Sequence, residues 1–517
     1  MKSSDRFREH AIPAGLALAC LCTYLIFLIR YGEMFYWGSD LVANTAYGVT
    51  LFSGVLSAGW AVPKPAEMFL FGSIYRMTGS LWFIHLAVIG VTALTVWAGC
   101  RLILKHYRSP LGCIAFFVFM TALPKAFNAT LGGGAGVLSA MFLLLAILCL
   151  SRPGRRADRI LALVFLSMAN LSRPDSWPCT LLIILLFLLS KVRGPNGPGW
   201  TWSDLWFLVP LGMPLIWAGV GAAFFGDPLY SMHVARNFTA EVYAGASQPA
   251  GGGAPKVSRF LPHLQSSLFG LFSVPGWLSA RTAVLTLLTL TGMGAMLRKD
   301  ARTLLLIGCP IGGTLLFYFL YALMGSLFRA DYLYAILVFT ALITSVGVGA
   351  AAGLARKLPH RRWSGWARAG IAGAILFLLV AGAVRGEIVS DVLPQLRNRA
   401  AAARWSRPAV ERLTEDIRRS GGAGTPIVLS TQAAPPSRIA LKLGTGKGLY
   451  LVERLVGKQR LGEQDALPAL EGRTVYYCFQ EPLPEDVGAF LRPLIEVAAD
   501  CKAIYRHQGL MILKCSH

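Results

Sequence analysis

A series of apolar runs separated by short basic clusters constrains this chain more than any other feature. Most runs are roughly 16–24 residues long, the length at which a helix crosses the hydrocarbon core of a bilayer. Only 15% of the 517 residues are charged, well below the share in soluble domains, and 55% are hydrophobic. The pattern predicts a polytopic α-helical membrane protein. Eleven spans are predicted, several of them short: 11–30, 81–104, 110–124, 136–151, 160–172, 176–191, 204–225, 280–297, 303–324, 332–355 and 367–385.

Basic residues cluster at alternate ends of these spans, and such clusters mark the cytoplasmic side of a membrane protein. With eleven spans, every cluster falls on the side of the N-terminus, which we therefore expect in the cytoplasm. The first helix is expected to be retained rather than cleaved as a signal peptide, and the C-terminal tail to lie outside. The net charge of +23 is assigned to this topology rather than to nucleic-acid binding. The clusters are 2–8, 101–108, 152–159, 191–193, 298–302 and 356–368.

The connection between the first two spans, residues 31–79, forms the first predicted outer loop. It is amphipathic and rich in Tyr and Trp, but too polar to cross a bilayer. Such a segment is expected to lie at the membrane surface as short helices. It contains Asp40, Lys64 and Glu67. Ionisable groups this close to hydrocarbon point to function, because they are costly to keep there.

Further charged residues recur at the predicted outer ends of the helices. Any one of them could be an ordinary interfacial anchor or half of an Arg–Asp pair. As a set, they could face one cavity that opens to the outer leaflet. A cavity with both acid and base suits a substrate that carries a phosphate and a hydroxyl or amine to deprotonate. The set comprises Asp40, Lys64, Lys125, Arg173, Asp175, Asp227, Arg236, Arg329 and Asp331.

The composition changes near residue 386, which predicts a membrane module over 1–385 and a small extracytoplasmic α/β domain over 386–517. An Arg-rich stretch with a helical pattern opens this domain, and short apolar runs typical of strands follow it. The predicted elements are a helical stretch at 394–420, strands at 426–430, 448–452, 473–479, 503–506 and 510–513, and a helix at 484–496.

Three cysteines lie in this tail: Cys478, Cys501 and Cys515. Gln508-Gly509 is typical of a hairpin turn, which would place Cys501 beside Cys515. A disulfide persists outside the cytoplasm. We therefore predict the pair Cys501–Cys515, with Cys478–Cys501 as the alternative and three free thiols as the remaining case. The sequence contains no CxxC or HExxH motif and no Cys/His cluster, so zinc is not expected.

Five short motifs of the membrane module resemble those of the GT-C superfamily of integral membrane glycosyltransferases. Its relatives include protein O-mannosyltransferases and the lipid A aminoarabinose transferase, and the resemblance covers roughly residues 12–385. Three motifs depart from the family pattern. The second Pro and the Leu of the Lys-Pro-Pro-Leu motif are missing after Lys64-Pro65. The motif that begins at Phe225 lacks its Pro-Asn, and the Arg and Tyr of the last motif are separated in the sequence. The matching residues are Tyr36-Trp37-Gly38-Ser39-Asp40, Lys64-Pro65-Ala66-Glu67, Leu171-Ser172-Arg173-Pro174-Asp175, Phe225 to Tyr230, and Arg329 with Tyr332.

The resemblance implies an inverting glycosyltransferase that uses a polyprenyl-phosphate monosaccharide on the outer face of the membrane. Asp40 would be the general base that acts on the acceptor. The donor phosphate would be bound by Lys64, Arg173, Arg236 and Arg329. Secondary candidates, including those for the acceptor, are Glu67, Asp175, Asp227 and Tyr332. Some relatives use a divalent metal, and the sequence leaves metal dependence open; no other cofactor is expected.

Two other classes of function stay open on the sequence alone. A transporter or lipid flippase would also have many spans, but we find no internal repeat and no acidic residue in mid-span. A non-catalytic lipid-binding scaffold is the third class. The Ala-, Gly- and Arg-rich composition favours a bacterial inner membrane. The expected partners are the lipid-linked sugar, membrane lipids and an acceptor that is a glycan, a lipid or a protein; nucleic acid is not expected.

Overall fold

The computed structural model describes much of the predicted membrane module and the core of the C-terminal domain. The described residues are 3–31, 40–52, 64–131, 136–151, 156–192, 202–229, 233, 280–323, 334–355, 407–420, 425–429, 439, 443, 449–451, 473–481, 485–498, 500–507 and 510–517. The chain divides into two compact units, each discontinuous in sequence. The first contains Met1–Arg30, His85–Ile216 and Pro255–Gln395, and the second contains Tyr31–Ile84, Trp217–Ala254 and Leu396–His517.

Helices make up almost all of the described residues before 356. They are α1 (Ser3–Tyr31), α2 (Asp40–Phe52), α3 (Pro65–Thr78), α4 (Leu81–Tyr107), α5 (Pro110–Ala122), α6 (Pro124–Leu131), α7 (Val137–Leu150), α8 (Arg156–Ser172), α9 (Ser176–Val192), a 3₁₀ helix (Trp202–Gly212), α10 (Met213–Phe225), α11 (Ala280–Leu323) and α12 (Tyr334–Ala355). The predicted boundary near residue 386 lies outside the described residues, so the division into 1–385 and 386–517 stays a prediction.

Several helices are apolar enough to lie within a membrane, which confirms the class of helical membrane protein. Three shorter apolar helices, α5, α7 and Ser176–Leu189 of α9, accompany the long ones. The count of eleven spans stays a prediction, because the span at 367–385 lies outside the described residues and several helices are short. The segments long enough to cross a membrane, within the described residues, are Glu9–Arg30, Leu81–Tyr107, Leu205–Ala223, Val284–Tyr321 and Tyr334–Leu354.

The two predicted spans 280–297 and 303–324 form the two halves of one long element, α11. Its helical geometry breaks at Asp300, whose backbone is extended (φ −160°, ψ 79°). The side chain of Asp300 accepts a hydrogen bond from the Thr303 backbone N–H at 3.0 Å. This contact caps the second half of the element, as Asp does at a helix N-terminus. The predicted interruption between the two spans is therefore present, because α11 consists of two helices that meet at Asp300.

In the second unit, α2 and α3 cross in direct backbone contact at two glycines. A Cβ on Gly48 would lie 2.8 Å from the Cα of Gly72 and still closer to the carbonyl oxygen of Met68. A Cβ on Gly72 would lie 2.7 Å from the Cα of Gly48. Only glycine allows backbones to approach this closely, and small residues serve the same purpose in membrane helix pairs.

We expect Gly48→Ala to destabilise the protein by about 1–3 kcal/mol, because α2 and α3 must separate to admit the methyl group. The control is Gly90→Ala, since a Cβ at Gly90 meets nothing within 4 Å. Alanine is the better helix former, so this control should be neutral or stabilising. Denaturation of the purified full-length protein in mixed micelles measures both changes. Equal stabilities of the two variants would contradict the tight crossing.

The C-terminal domain contains five strands, as the sequence predicts, and the structure joins them in one mixed sheet. Its strand order is β2-β1-β3-β5-β4. β1 pairs in parallel with β2 and β3, whereas β5 pairs antiparallel with β3 and β4. The elements are α13 (407–419), β1 (Ile427–Leu429), β2 (Leu449–Leu451), β3 (Thr474–Gln480), α14 (Glu485–Glu496), β4 (Asp500–His507) and β5 (Leu510–Ser516).

A helix covers each face of this sheet. Alternate residues of β3 point to opposite faces, so neighbouring residues of this strand contact different helices. Tyr477 and its same-face neighbours form an apolar core with Leu491 of α14. On the other face, Tyr476 Oη donates to Asp416 of α13 at 2.7 Å, and Lys514 Nζ donates to the same carboxylate at 2.9 Å. The hydrogen bonds from Lys514 and then Tyr476 lower the pKa of Asp416. Their contribution to stability is lost when the pH falls through this lowered pKa.

The predicted disulfide between Cys501 and Cys515 is confirmed, and Cys478 is a buried free thiol. The two cysteines face each other in the register of β4 and β5, with their Cα atoms 4.1 Å apart. The alternative pair Cys478–Cys501 is therefore excluded. A persistent disulfide suits the outer side predicted for this domain.

Reducing this disulfide should cost about 3 kcal/mol of domain stability, because a loop of 14 residues is no longer closed in the unfolded chain. Thermal unfolding of the purified full-length protein with and without reductant measures the change. In a Cys501→Ser/Cys515→Ser variant the reductant should have no effect. A peptide map under non-reducing conditions that links Cys478 instead would contradict the assignment.

Candidate functional site

The N-terminal ends of α2 and α3 lie side by side. Asn44, which is fully buried, accepts a hydrogen bond from the Lys64 backbone N–H at 2.8 Å. Gly48, one turn further along α2, contacts α3 one and two turns after Lys64. The two helices therefore run in the same direction. Asp40 is the first residue of α2, and helix geometry puts its backbone about 6 Å along the axis from Asn44.

Lys64 and Glu67 form a buried ion pair at the start of α3. Their charged atoms are 3.6 Å apart, and each side chain is less than a tenth exposed. Lys64 is the N-cap and Pro65 the first helical residue, a position that suits proline because its missing N–H has no helical partner. Glu67 occupies the position of the leucine in the family motif. Because a glutamate replaces the leucine of the motif, Lys64 has a carboxylate partner in this chain.

The N-termini of both helices and one lysine therefore lie at the same end of the α2–α3 pair. Each helix N-terminus carries a partial positive charge from its unsatisfied N–H groups. Glu67 offsets part of this charge from the first turn of α3. The arrangement favours an anion near Lys64, and a phosphate is the usual anion at helix N-termini.

The first unit holds a separate buried network at the turn between α8 and α9. Arg173 Nε donates to Asp175 Oδ1 at 2.8 Å, and Arg173 Nη2 donates to Tyr318 Oη at 2.6 Å. Tyr318 Oη in turn donates to Asp175 Oδ2 at 3.2 Å. All three side chains are buried. Because a buried charge is costly unless it is paired and hydrogen-bonded, this network holds the guanidinium plane in one orientation.

The position of Arg173 also depends on Gly136, the N-cap of α7. Gly136 has a left-handed backbone (φ 111°), which other residues rarely adopt. A Cβ there would lie 3.3 Å from Tyr334 Cβ and 3.7 Å from Arg173 Cδ. Ser139 and Ser176 tie α7 to α9 beside this point, with their hydroxyl oxygens 2.6 Å apart. The absence of a side chain at Gly136 thus leaves room for Arg173.

Asp227 closes the end of α10, in the second unit. Gly226 there has a left-handed backbone (φ 70°). Asp227 accepts hydrogen bonds from the Leu229 N–H at 2.9 Å and from His233 Nδ1 at 2.6 Å. The hydrogen bond from His233 is the main reason that the pKa of Asp227 is lowered. The Phe-Gly-Asp-Pro motif is therefore a turn that presents a carboxylate already paired with histidine.

The predicted site residues fall in both units. Asp40, Lys64, Glu67 and Asp227 belong to the second unit, and Arg173 with Asp175 belong to the first. The structure brings together Lys64 with Glu67 and Arg173 with Asp175. The predictions for Arg236, Arg329 and Tyr332 lie outside the described residues. A single cavity shared by the whole set stays a prediction.

Two residues of these networks are not among the sequence candidates. Tyr318 lies 145 residues after Arg173 in an aromatic span, where no local pattern marks it. Asn44 is detectable in principle, because an amide one turn after Asp40 in an apolar helix is unusual. Within the described residues, no group of three or more His, Cys, Asp or Glu side chains could hold a metal ion.

Comparison of the chain with models of protein families found no match, and comparison with curated proteins also found none. The class that the fold itself defines is a helical membrane protein with a C-terminal α/β domain. The resemblance to the GT-C superfamily accordingly rests on the sequence motifs alone.

Proposed function

We propose that the protein is an inverting glycosyltransferase that moves a sugar from a polyprenyl-phosphate donor to an acceptor on the outer face of a bacterial inner membrane. One observation carries this proposal: the parallel packing of α2 and α3, which brings the start of α2 at Asp40 to the buried Lys64. A base for the acceptor and a cation for the leaving phosphate then occupy one end of a helix pair.

The reaction is a single displacement at the anomeric carbon. Asp40 accepts the proton of the acceptor hydroxyl or amine, and the acceptor atom forms a bond to the anomeric carbon from the face opposite the phosphate. The bond between that carbon and the phosphate oxygen breaks, and its electron pair leaves with the polyprenyl phosphate. Inversion follows from this geometry.

In this proposal Lys64 stabilises the phosphate as it leaves, and the resemblance implies the same role for Arg173. Lys64 acts as a compact charge at the N-terminus of α3, whereas Arg173 offers a planar fork of N–H donors. Both cations have buried carboxylate partners, Glu67 and Asp175. These partners hold the cations in place before the donor binds, so little reorganisation accompanies the development of charge on the phosphate.

The test of this proposal is a transfer assay on the purified full-length protein in lipid nanodiscs. A panel of short-chain polyprenyl-phosphate monosaccharides that differ in the sugar serves as donor. Release of polyprenyl phosphate identifies the donor sugar, and the anomeric configuration of the product reports inversion. Absence of release with the whole panel, together with movement of the same lipids across proteoliposomes, would favour a flippase instead.

We expect Lys64→Gln to weaken transfer by about 10- to 100-fold, the usual cost of a lost hydrogen bond to a charged group. The variant also leaves the buried Glu67 without its cation, so donor affinity and turnover are measured on the folded fraction and compared with the folded wild type. Lys502→Gln removes the same charge from an exposed position of β4 and should leave transfer unchanged. Wild-type donor affinity and turnover in Lys64→Gln would show that Lys64 has only a structural role in its ion pair with Glu67.

A further inference from the structure

A cavity lies where three helix ends meet in the first unit, and none of the candidate residues above that the structure describes lines it. It has a volume of about 360 Å³. Lys105 and His106 line it from the end of α4, Ser151 from the end of α7, and Arg302 and Thr303 from the break in α11. All of these helix ends lie on the side that the basic clusters predict to be cytoplasmic.

The carboxylate of Asp300 lines this cavity, and it is already hydrogen-bonded within the protein. Asp300 Oδ2 accepts hydrogen bonds from His106 Nδ1 at 2.8 Å and from Thr303 Oγ1 at 2.6 Å. Its other oxygen caps the second half of α11. Asp300 is therefore an internal acceptor, and its charge is offset by the helix N-terminus that it caps.

Two cationic side chains, Lys105 and Arg302, also line the cavity. Lys105 Nζ donates to the backbone oxygen of Ser151 at 2.8 Å and to its hydroxyl at 3.2 Å, which holds the ammonium at the cavity. Arg302 is exposed and makes no ion pair with any part of the chain that the structure describes. His106 Nε2 is buried and has no hydrogen-bond partner among the described residues. Because His106 Nδ1 carries the proton donated to Asp300, Nε2 of the neutral ring is an acceptor and is not a ligand for an anion. The cavity therefore has two cationic donors, Lys105 and Arg302, and the carboxylate that lines it is already hydrogen-bonded within the protein.

We propose that this cavity binds the phosphate of an anionic phospholipid from the cytoplasmic leaflet. A phosphate diester matches the ammonium of Lys105 and the guanidinium fork of Arg302, which both line the cavity. Basic pockets between membrane helices on the cytoplasmic side are suited to such headgroups. The source is a lipid rather than a soluble phosphate because Leu297 and Leu305, on either side of the break, are more than half exposed. Acyl chains would cover these leucines.

This lipid site does not depend on the proposed glycosyltransferase function. The lipid would bind whether or not the protein transfers sugar. A lipid bound here bridges α4, α7 and both halves of α11. Such a ligand stabilises the folded state that binds it. We therefore expect anionic lipid to raise the unfolding temperature of the full-length protein.

The experiment is a titration of the purified full-length protein in detergent, followed by native mass spectrometry and by thermal unfolding. Dioctanoyl phosphatidylglycerol is the probe, with dioctanoyl phosphatidylcholine and inorganic phosphate as the comparison ligands. We expect one saturable site for phosphatidylglycerol and at least tenfold weaker binding of phosphatidylcholine. Saturable binding of inorganic phosphate without binding of phosphatidylglycerol would overturn the lipid assignment, and so would equal binding of the two lipids.

Two single variants and two matched controls test the residues. Lys105→Gln and Arg302→Gln should each weaken phosphatidylglycerol binding by about tenfold, the effect of one charged contact worth about 1.4 kcal/mol. Arg298→Gln and Lys299→Gln remove the same charge beside the same break, from exposed positions that do not line the cavity. Equal losses in the controls would overturn the proposal, because binding would then follow general surface charge.

Discussion

Replacing Asp40 with Asn is expected to slow sugar transfer by about 100-fold or more, because an amide cannot accept the proton of the acceptor. The substitution keeps the shape of the side chain, and Asn is as good an N-cap as Asp. We therefore expect α2 and the overall stability to be unchanged. Donor binding should also be close to wild type, since the substitution does not remove a phosphate ligand.

The measurement is single-turnover release of polyprenyl phosphate by the purified variant, with donor affinity determined separately. Asp500→Asn is the matched control, because Asp500 is an exposed aspartate at the start of β4. A helix cap alone would tolerate the change at Asp40. A near wild-type rate in Asp40→Asn would show that the base is elsewhere, and Glu67, Asp175 and Asp227 would be tested next.

Replacing Arg173 with Ala is expected to destabilise the protein by about 3–5 kcal/mol, because it removes one partner of a buried ion pair. Asp175, which is 4% exposed, would lose its hydrogen bond from the guanidinium. Loss of activity in this variant would therefore mix a folding defect with a loss of phosphate binding. The structure makes Arg173→Ala a test of stability rather than of donor recognition.

A double-mutant cycle separates the two effects. Arg173→Ala/Asp175→Ala should recover much of the lost stability, because no buried carboxylate is then left without the guanidinium. Arg173→Lys keeps the charge but loses the planar fork, so it should weaken donor binding at a smaller cost in stability. Denaturation in mixed micelles and donor titration measure these quantities. A double variant no more stable than Arg173→Ala would contradict the pairing.

The class of the fold and the elements of the tail follow from the sequence alone. Apolar runs and basic clusters are properties of consecutive residues, so they predict membrane helices without knowledge of any distant contact. The same holds for the short strands of the tail. The two-residue turn at 508–509 predicts a hairpin that brings Cys501 close to Cys515. Their direct opposition needs the register shift between Ala503 and Tyr505, because the turn alone would place residue 501 opposite residue 516.

The geometry of the candidate site was decided only by tertiary structure. Whether α2 and α3 run in the same direction depends on the crossing of Gly48 over Gly72, which neither helix predicts by itself. Tyr318 meets Arg173 only because α11 packs against α9. The cavity at Asp300 likewise needs the ends of α4 and α7 beside a break in α11. Hydropathy and local propensity specify which residues form helices, whereas the packing of side chains between helices selects which of their polar groups meet.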